Sequence, residues 1–134
     1  MNLIIGTQFI KEFFVSEQIV NDFCQLTTDL NPLHLDIEFA SKSVFGKRIA
    51  PGMLVSSFIA AVIGNDFPGK GTIYLSQNLK FHLPIFLEDR ISVRVKVISI
   101  MPNNWIKLNT QCANQKGEIV ISGEATIIPP SKAL

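Results

Sequence analysis

Residues 49–65 carry no charged side chain, and this run of 17 residues limits the possible folds more than any other stretch of the chain. It is too short, and too interrupted by Pro51, Gly52, Ser56 and Ser57, to supply the ~20 predominantly apolar residues of a membrane-spanning helix. A core helix is the alternative. Pro51 suits a first helical turn and Gly64 a C-terminal stop. Between them, residues 53–63 are apolar nearly all round, so the helix is expected to be enclosed on every side.

The enclosing material follows in the chain. Residues 72–83, 90–100, 105–113 and 118–128 have strand character. In the second of these, Ile91, Val93, Val95 and Val97 alternate with Ser92, Arg94 and Lys96, giving one buried and one wet face. The alternation slips at Val97-Ile98, the mark of a bulge or of a strand covered on both faces. Pro102-Asn103-Asn104 and Asn114-Gln115-Lys116-Gly117 are short turn-rich connections, so the last three strands read as an antiparallel meander. Ahead of the central helix, residues 8–15 read as a short strand. Ser16 and Glu17 then open an amphipathic helix, with Ile19, Phe23 and Leu26 at helical spacing, that ends near Asp29. Pro32 disfavours helical geometry at Asn31, and Asp36 suits the cap of a second short helix through Ala40. The expected architecture is α+β, an antiparallel sheet of about five strands wrapped around a long central helix.

Composition narrows the function. At 134 residues, one core and one domain are expected over residues 1–134. Hydrophobic residues make up 47% and charged residues 17%, which excludes disorder for want of apolar surface. A formal charge of +1 provides no field to gather nucleic acid, so no nucleic-acid partner is expected. So low a charge density implies that part of the surface is itself covered, most simply by a second copy of the chain, and a homodimer is expected. Cys24 and Cys112 lie far apart with no metal-ligand spacing, and read as buried reduced thiols rather than a disulfide or a metal site. The start, MNLIIGTQ, lacks a basic region and a sufficient apolar run for a signal peptide, and Lys132-Ala133-Leu134 only approaches a peroxisomal address. A cytoplasmic location is the expectation, with no membrane partner.

Chemistry concentrates in Thr28-Asp29-Leu30-Asn31-Pro32-Leu33-His34, which places a carboxylate, an amide and an imidazole at a forced helix break. A carboxylate and an imidazole gripping one water can draw off its proton and return a proton elsewhere, as hydration of an activated double bond requires. Asn31, neutral and with donor and acceptor ends, is suited to orient the water or hold the histidine. From spacing alone an alternative stays open: Asp29 ends a helix, Asn31-Pro32 makes a turn, and His34 is an ordinary buried histidine.

Three blocks bear on that choice: Asp29-Leu30-Asn31-Pro32-Leu33-His34-Leu35-Asp36, which matches a D-x-N-P-x-H motif; Ile49-Ala50-Pro51-Gly52-Met53-Leu54; and Pro68-Gly69-Lys70-Gly71-Thr72-Ile73-Tyr74-Leu75. In these blocks, and over nearly its whole length, the chain resembles the (R)-specific enoyl-CoA hydratases of the MaoC-like, or hydratase 2, branch of the hot-dog superfamily. The resemblance implies a hot-dog fold and reversible syn addition of water to a trans-2-enoyl-CoA, giving the (R)-3-hydroxyacyl-CoA of fatty acid metabolism. It implies no metal and no cofactor. Position by position, it implies that Asp29 and His34 form the catalytic dyad with Asn31 assisting, and that the Gly52 backbone N–H polarises the thioester carbonyl. Physics favours that use of Gly52. Water adding at the β-carbon pushes negative charge onto the thioester oxygen, and a helix N-terminus offers free N–H groups to receive it.

Along the central helix, Val55, Phe58, Ile59 and Ile63 are candidates for the wall of an acyl tunnel, and each also suits the core. The chain departs from many relatives at Pro51, where they carry histidine; proline removes a possible donor there. Arg48, Lys70 and Lys80 could meet coenzyme A phosphates, although scattered basic residues are usually solvated surface and none of the three is singled out. His82 reads as surface or interface. The rival readings are a hot-dog thioesterase, a dehydratase acting on acyl carrier protein substrates, and a non-catalytic acyl-thioester-binding subunit. Against the first, residues 53–63 lack the acidic residue that many such thioesterases carry on this helix.

Overall fold

The computed structural model describes residues 3–131. Met1, Asn2 and the Lys132-Ala133-Leu134 tripeptide weighed above as a targeting address lie outside the described residues.

Strand β1 (Gln8–Phe14) leads into helix α1 (Glu17–Thr27), whose first turn is closed by the Ser16 hydroxyl accepting the Ile19 N–H at 3.1 Å. Thr28, in the left-handed conformation, ends α1 one residue before the expected stop. The periodicity misjudged the inward face. Val20 and Cys24 are fully buried and Ile19 and Phe23 partly so, but Leu26 is 83% exposed because it lies on the far side of the helix from the Val20-Cys24 stripe.

After the break come two short helices, α2 (Pro32–Leu35) and α3 (Ile37–Ser41). Asp36 caps α3 as expected, accepting from the Phe39 N–H at 3.0 Å. The single turn α2 had no counterpart in the expected elements: α1 has already ended at Thr28, ahead of Pro32, and the proline's fixed φ starts a new turn at the first helical position. The central helix α4 runs Gly52–Asn65, with Pro51 just outside as the cap residue and Gly64 inside rather than ending it.

The sheet has six antiparallel strands. Beyond β1 they are β2 (Ile73–Gln77), β3 (Lys80–Phe81), β4 (Arg90–Ile100), β5 (Ile106–Ala113) and β6 (Ile119–Ile128). Their order is β1-β4-β5-β6-β2, with β3 also on β6. The meander β4-β5-β6 stands as expected, and the register shifts between Val97 and Ser99 where the alternation slips. The count exceeds five because the segment expected as one strand is split. Gln77 faces Ala125 and Lys80 faces Ser122, so β2 and β3 keep one register across a gap at Asn78 and Leu79. At that gap the Asn78 carbonyl occupies the space a side chain at position 123 would fill, and only Gly123 lets the chains pass so closely.

Valines and isoleucines of β4 to β6 pack with Val55, Ile59, Val62 and Ile63 of α4 into one core. Two aromatic pairs clasp β1 to this layer: Phe13 stacks on Phe58 with ring centroids 4.5 Å apart, and Phe9 on Phe67 at 6.2 Å. The expectation that α4 is enclosed on every side needs correction for a single chain. Met53 is 58% exposed, and Ser57, Ala60 and Gly64 on the same face are exposed too, because one sheet covers only one side of a helix.

Candidate active site

The segment between α1 and α3 is shaped by its own polar side chains. Asp29 Oδ1 accepts the Asn31 N–H at 3.2 Å, and Asn31 Oδ1 accepts the Leu33 N–H at 3.0 Å, capping α2. That cap sets the turn that carries His34. The imidazole points inward, and its Nδ1 lies 2.8 Å from the Ile49 carbonyl oxygen. A carbonyl only accepts, so Nδ1 carries the proton and Nε2 of the neutral ring presents its lone pair. Nε2 faces Asp29 Oδ2 across 3.9 Å, with the histidine side chain 11% and the aspartate side chain 47% exposed. This is too far for a direct hydrogen bond and suits one water held by both groups. The two ionisable groups therefore converge, one seated in protein and one open to solvent.

Ile49 links this pair to the central helix. Besides accepting from His34, it donates its N–H to the Leu33 carbonyl at 3.1 Å, and Ala50 donates to the Ile85 carbonyl at 2.7 Å. The residues leading into α4 are thus tied to α2 on one side and to the segment after β3 on the other. Pro51 has no N–H to donate, and among the described residues no side chain caps the N-terminus of α4, which leaves its first N–H groups for a ligand. A cavity of about 310 Å³ opens there, lined by Phe45, Ile49, Ala50, Gly52, Phe81 and Leu83 among others. The Phe81 ring lies so close over Gly52 that a Cβ at position 52 would meet it at 2.5 Å.

Most of the other residues singled out in the sequence fall elsewhere. Val55, Ile59 and Ile63 are fully buried core residues and Phe58 is engaged with Phe13; none of the four lines the cavity beside Gly52. Lys70 and Lys80 are exposed, whereas His82, also exposed, lines the cavity and bonds Ser122 through Nε2 at 2.7 Å.

Arg48 is the residue that sequence reasoning misjudged. It is buried, and its Nε donates to the His34 carbonyl at 2.7 Å. One Nη donates to Glu17 Oε1 at 3.2 Å and the other to Asn21 Oδ1 at 2.8 Å, both on α1. It is no free cation awaiting a phosphate. No local pattern announces it, since its partners lie 14 to 31 residues away. Cys24 borders the same region: burial, and next the Asp29 carboxylate, push its thiol above its ordinary range, while Arg48 pulls the other way.

A six-stranded antiparallel sheet laid on one long helix defines the hot-dog class of fold, and here an imidazole tied to the residues leading into that helix faces a carboxylate 3.9 Å away. The MaoC like domain family matches residues 6–119. The (R)-specific enoyl-CoA hydratase of Rhodospirillum rubrum is 39% identical over 119 residues, covering 88% of this chain and 82% of that protein. A mitochondrial 3-hydroxyacyl-acyl-carrier-protein dehydratase of Solanum lycopersicum is 40% identical over 130 residues, covering 95% and 78%. Among solved structures, the R-hydratase PhaJ1 of Pseudomonas aeruginosa superposes with a TM-score of 0.94 at 37% identity, covering 98% of this chain and 85% of that one. The chain belongs to the MaoC-like domain family and has the hot-dog fold of the R-hydratases.

Proposed function

We propose that this protein hydrates trans-2-enoyl-CoA to (R)-3-hydroxyacyl-CoA, and runs the dehydration in reverse. The observation that carries the reading is the 3.9 Å gap between His34 Nε2 and Asp29 Oδ2, with Nδ1 committed to Ile49 so that the basic nitrogen faces the carboxylate. A water in that gap loses a proton to the pair as its oxygen bonds to the β-carbon, and the pair delivers a proton to the α-carbon. One water is added overall. Asp29 and His34 exchange protons as a unit, so acid and base are assigned to the dyad and not to its members. The Gly52 N–H, at the uncapped start of α4, receives the charge that builds on the thioester oxygen. Asn31 assists through the cap that sets His34.

Incubation with crotonyl-CoA tests this directly. The enoyl absorbance should disappear without release of free thiol, and chiral analysis should return the (R)-product. Asp29→Asn and His34→Gln should each lower kcat by at least about a hundredfold while the protein stays folded. Full activity in either variant overturns the assignment. Release of thiol would instead favour a thioesterase, and binding without turnover a non-catalytic subunit.

A second carrier is favoured by one specific finding, the 40% identity to an acyl-carrier-protein dehydratase. Parallel kinetics with both carriers decide it. Of the helix positions picked for an acyl wall, Phe58 is the one with surface left to offer; Val55, Ile59 and Ile63 reach a chain only if the core opens. The reading treats residues 1–134 as one domain acting as a homodimer. It places that dimer in the cytoplasm, a reducing setting that two buried free thiols fit. Among the described residues, no helix is long and apolar enough to cross a membrane.

A further inference from the structure

We propose that Arg48 is a positioning residue for His34, and that its guanidinium fork, not its charge alone, holds the imidazole in register with Asp29; the kinetic part of this rests on the hydratase reading. Helix α2 is only four residues long. A single turn has almost no stability of its own, and its carbonyls need partners outside it. Each of the first three has one. The Pro32 carbonyl accepts from the Asp36 N–H at 2.9 Å, the Leu33 carbonyl from the Ile49 N–H at 3.1 Å, and the His34 carbonyl from Arg48 Nε at 2.7 Å.

The first two ties come from backbone. The third comes from a side chain and fastens the histidine's own peptide unit. Arg48 is itself held at two further points, Glu17 and Asn21, one turn apart on α1. The planar fork thereby converts the orientation of α1, which packs in the core through Val20 and Cys24, into the orientation of His34. A lysine has no fork. It would keep the positive charge near Glu17 and the His34 carbonyl but could not make the three directed bonds at once. Since a shift of about 1 Å in a reacting group costs up to about a hundredfold in rate, a loosened α2 should be read in kcat rather than in stability alone.

The test uses the full chain with Arg48→Lys, Asn21→Ala and Glu17→Gln. Steady-state kinetics with crotonyl-CoA are combined with imidazole nitrogen NMR of His34, assigned by its loss in His34→Gln. Arg48→Lys should lower kcat about 10- to 100-fold with KM within about twofold of the parent, and should move the His34 ring resonances. Asn21→Ala and Glu17→Gln, which each remove one anchor and keep the arginine, should shift both readouts less and in the same direction. They keep the proposal testable if Arg48→Lys does not fold. Unchanged His34 resonances and parental kcat per folded molecule in the folded variants overturn it, and so does a loss that merely tracks the unfolded fraction. The NMR readout needs no substrate. A parent protein without hydratase activity whose His34 signals still move on Arg48→Lys would therefore defeat the functional reading and support the positioning role.

Discussion

At the scale of single residues, two positions show how local packing decides chemistry. Gly52 starts a helix where alanine would ordinarily be more stable, yet its missing side chain leaves room for the Phe81 ring and, on the proposed reading, keeps the N–H open to a thioester carbonyl. Phe81 is 51% exposed, so its ring can swing aside for a methyl group. Gly52→Ala is therefore expected to fold with a melting temperature near the parent's and to lose about tenfold or more in kcat/KM. Parental kcat/KM in the folded variant would remove Gly52 from the site. Cys112 is the opposite case, a group excluded from chemistry by burial. It sits in β5 between Val93 and Ile121, and burial pushes its thiol from 9.0 up to about 12. The folded state holds the thiol neutral after the unfolded chain would have ionised it, so this contribution is whole below about pH 9 and is lost as the pH climbs toward about 12. The loss is about 1.4 kcal/mol for each pH unit in that window. Urea unfolding at pH 8 and pH 10.5 should show a steeper alkaline loss for the parent than for Cys112→Ala; equal slopes would contradict it.

At the scale of elements, α2 is the shortest helix and the most consequential element for the candidate site. Asn31 spends its side-chain oxygen on the Leu33 N–H, so its contribution to His34 runs through the cap. Asn31→Ala should cost about 1 kcal/mol in stability and several-fold in kcat, whereas Asn31→Ser, which retains a capping oxygen, should stay close to the parent. Denaturant curves alongside kinetics separate the two; a serine variant as impaired as the alanine one would mean that the amide itself touches water or substrate. This element also shows where legibility ends. Ser16, Asp36 and the alternating β4 state their structures within a few residues, and they were readable. A one-turn helix has no period to detect. The split of β2 from β3 depends on Gly123 meeting Asn78, and the role of Arg48 depends on α1, both contacts between residues distant in sequence. The candidate acid and base could be named because they share one segment, but the tie through Ile49 that aims them could not.

At the scale of the whole molecule, the distribution of apolar surface argues for a partner of the same kind. Among the described residues, strand β2 closes the sheet with one edge unpaired, and Ile73, Tyr74 and Leu75 on it are exposed. Phe81, Leu83 and Met53 add exposed apolar groups from β3, the segment after it and the start of α4. An edge of this kind, with neither charge nor proline to blunt it, would invite uncontrolled pairing in a monomer, unless a second copy covers it. A two-fold pairing of the β2 edges would extend the sheet and bury this surface on both chains at once, since an isologous contact uses the same patch twice. It would also cover the open approach to α4. Sedimentation at micromolar concentration is expected to give a dimer. Leu75→Glu, which sets like charges against each other across the contact, should give a folded monomer with an unchanged helical signal. Because Gly52 and Phe81 lie beside this surface, the monomer should also lose turnover. A parent chain that sediments as a monomer while fully active would show that the edge is left open and that the site is complete within one copy.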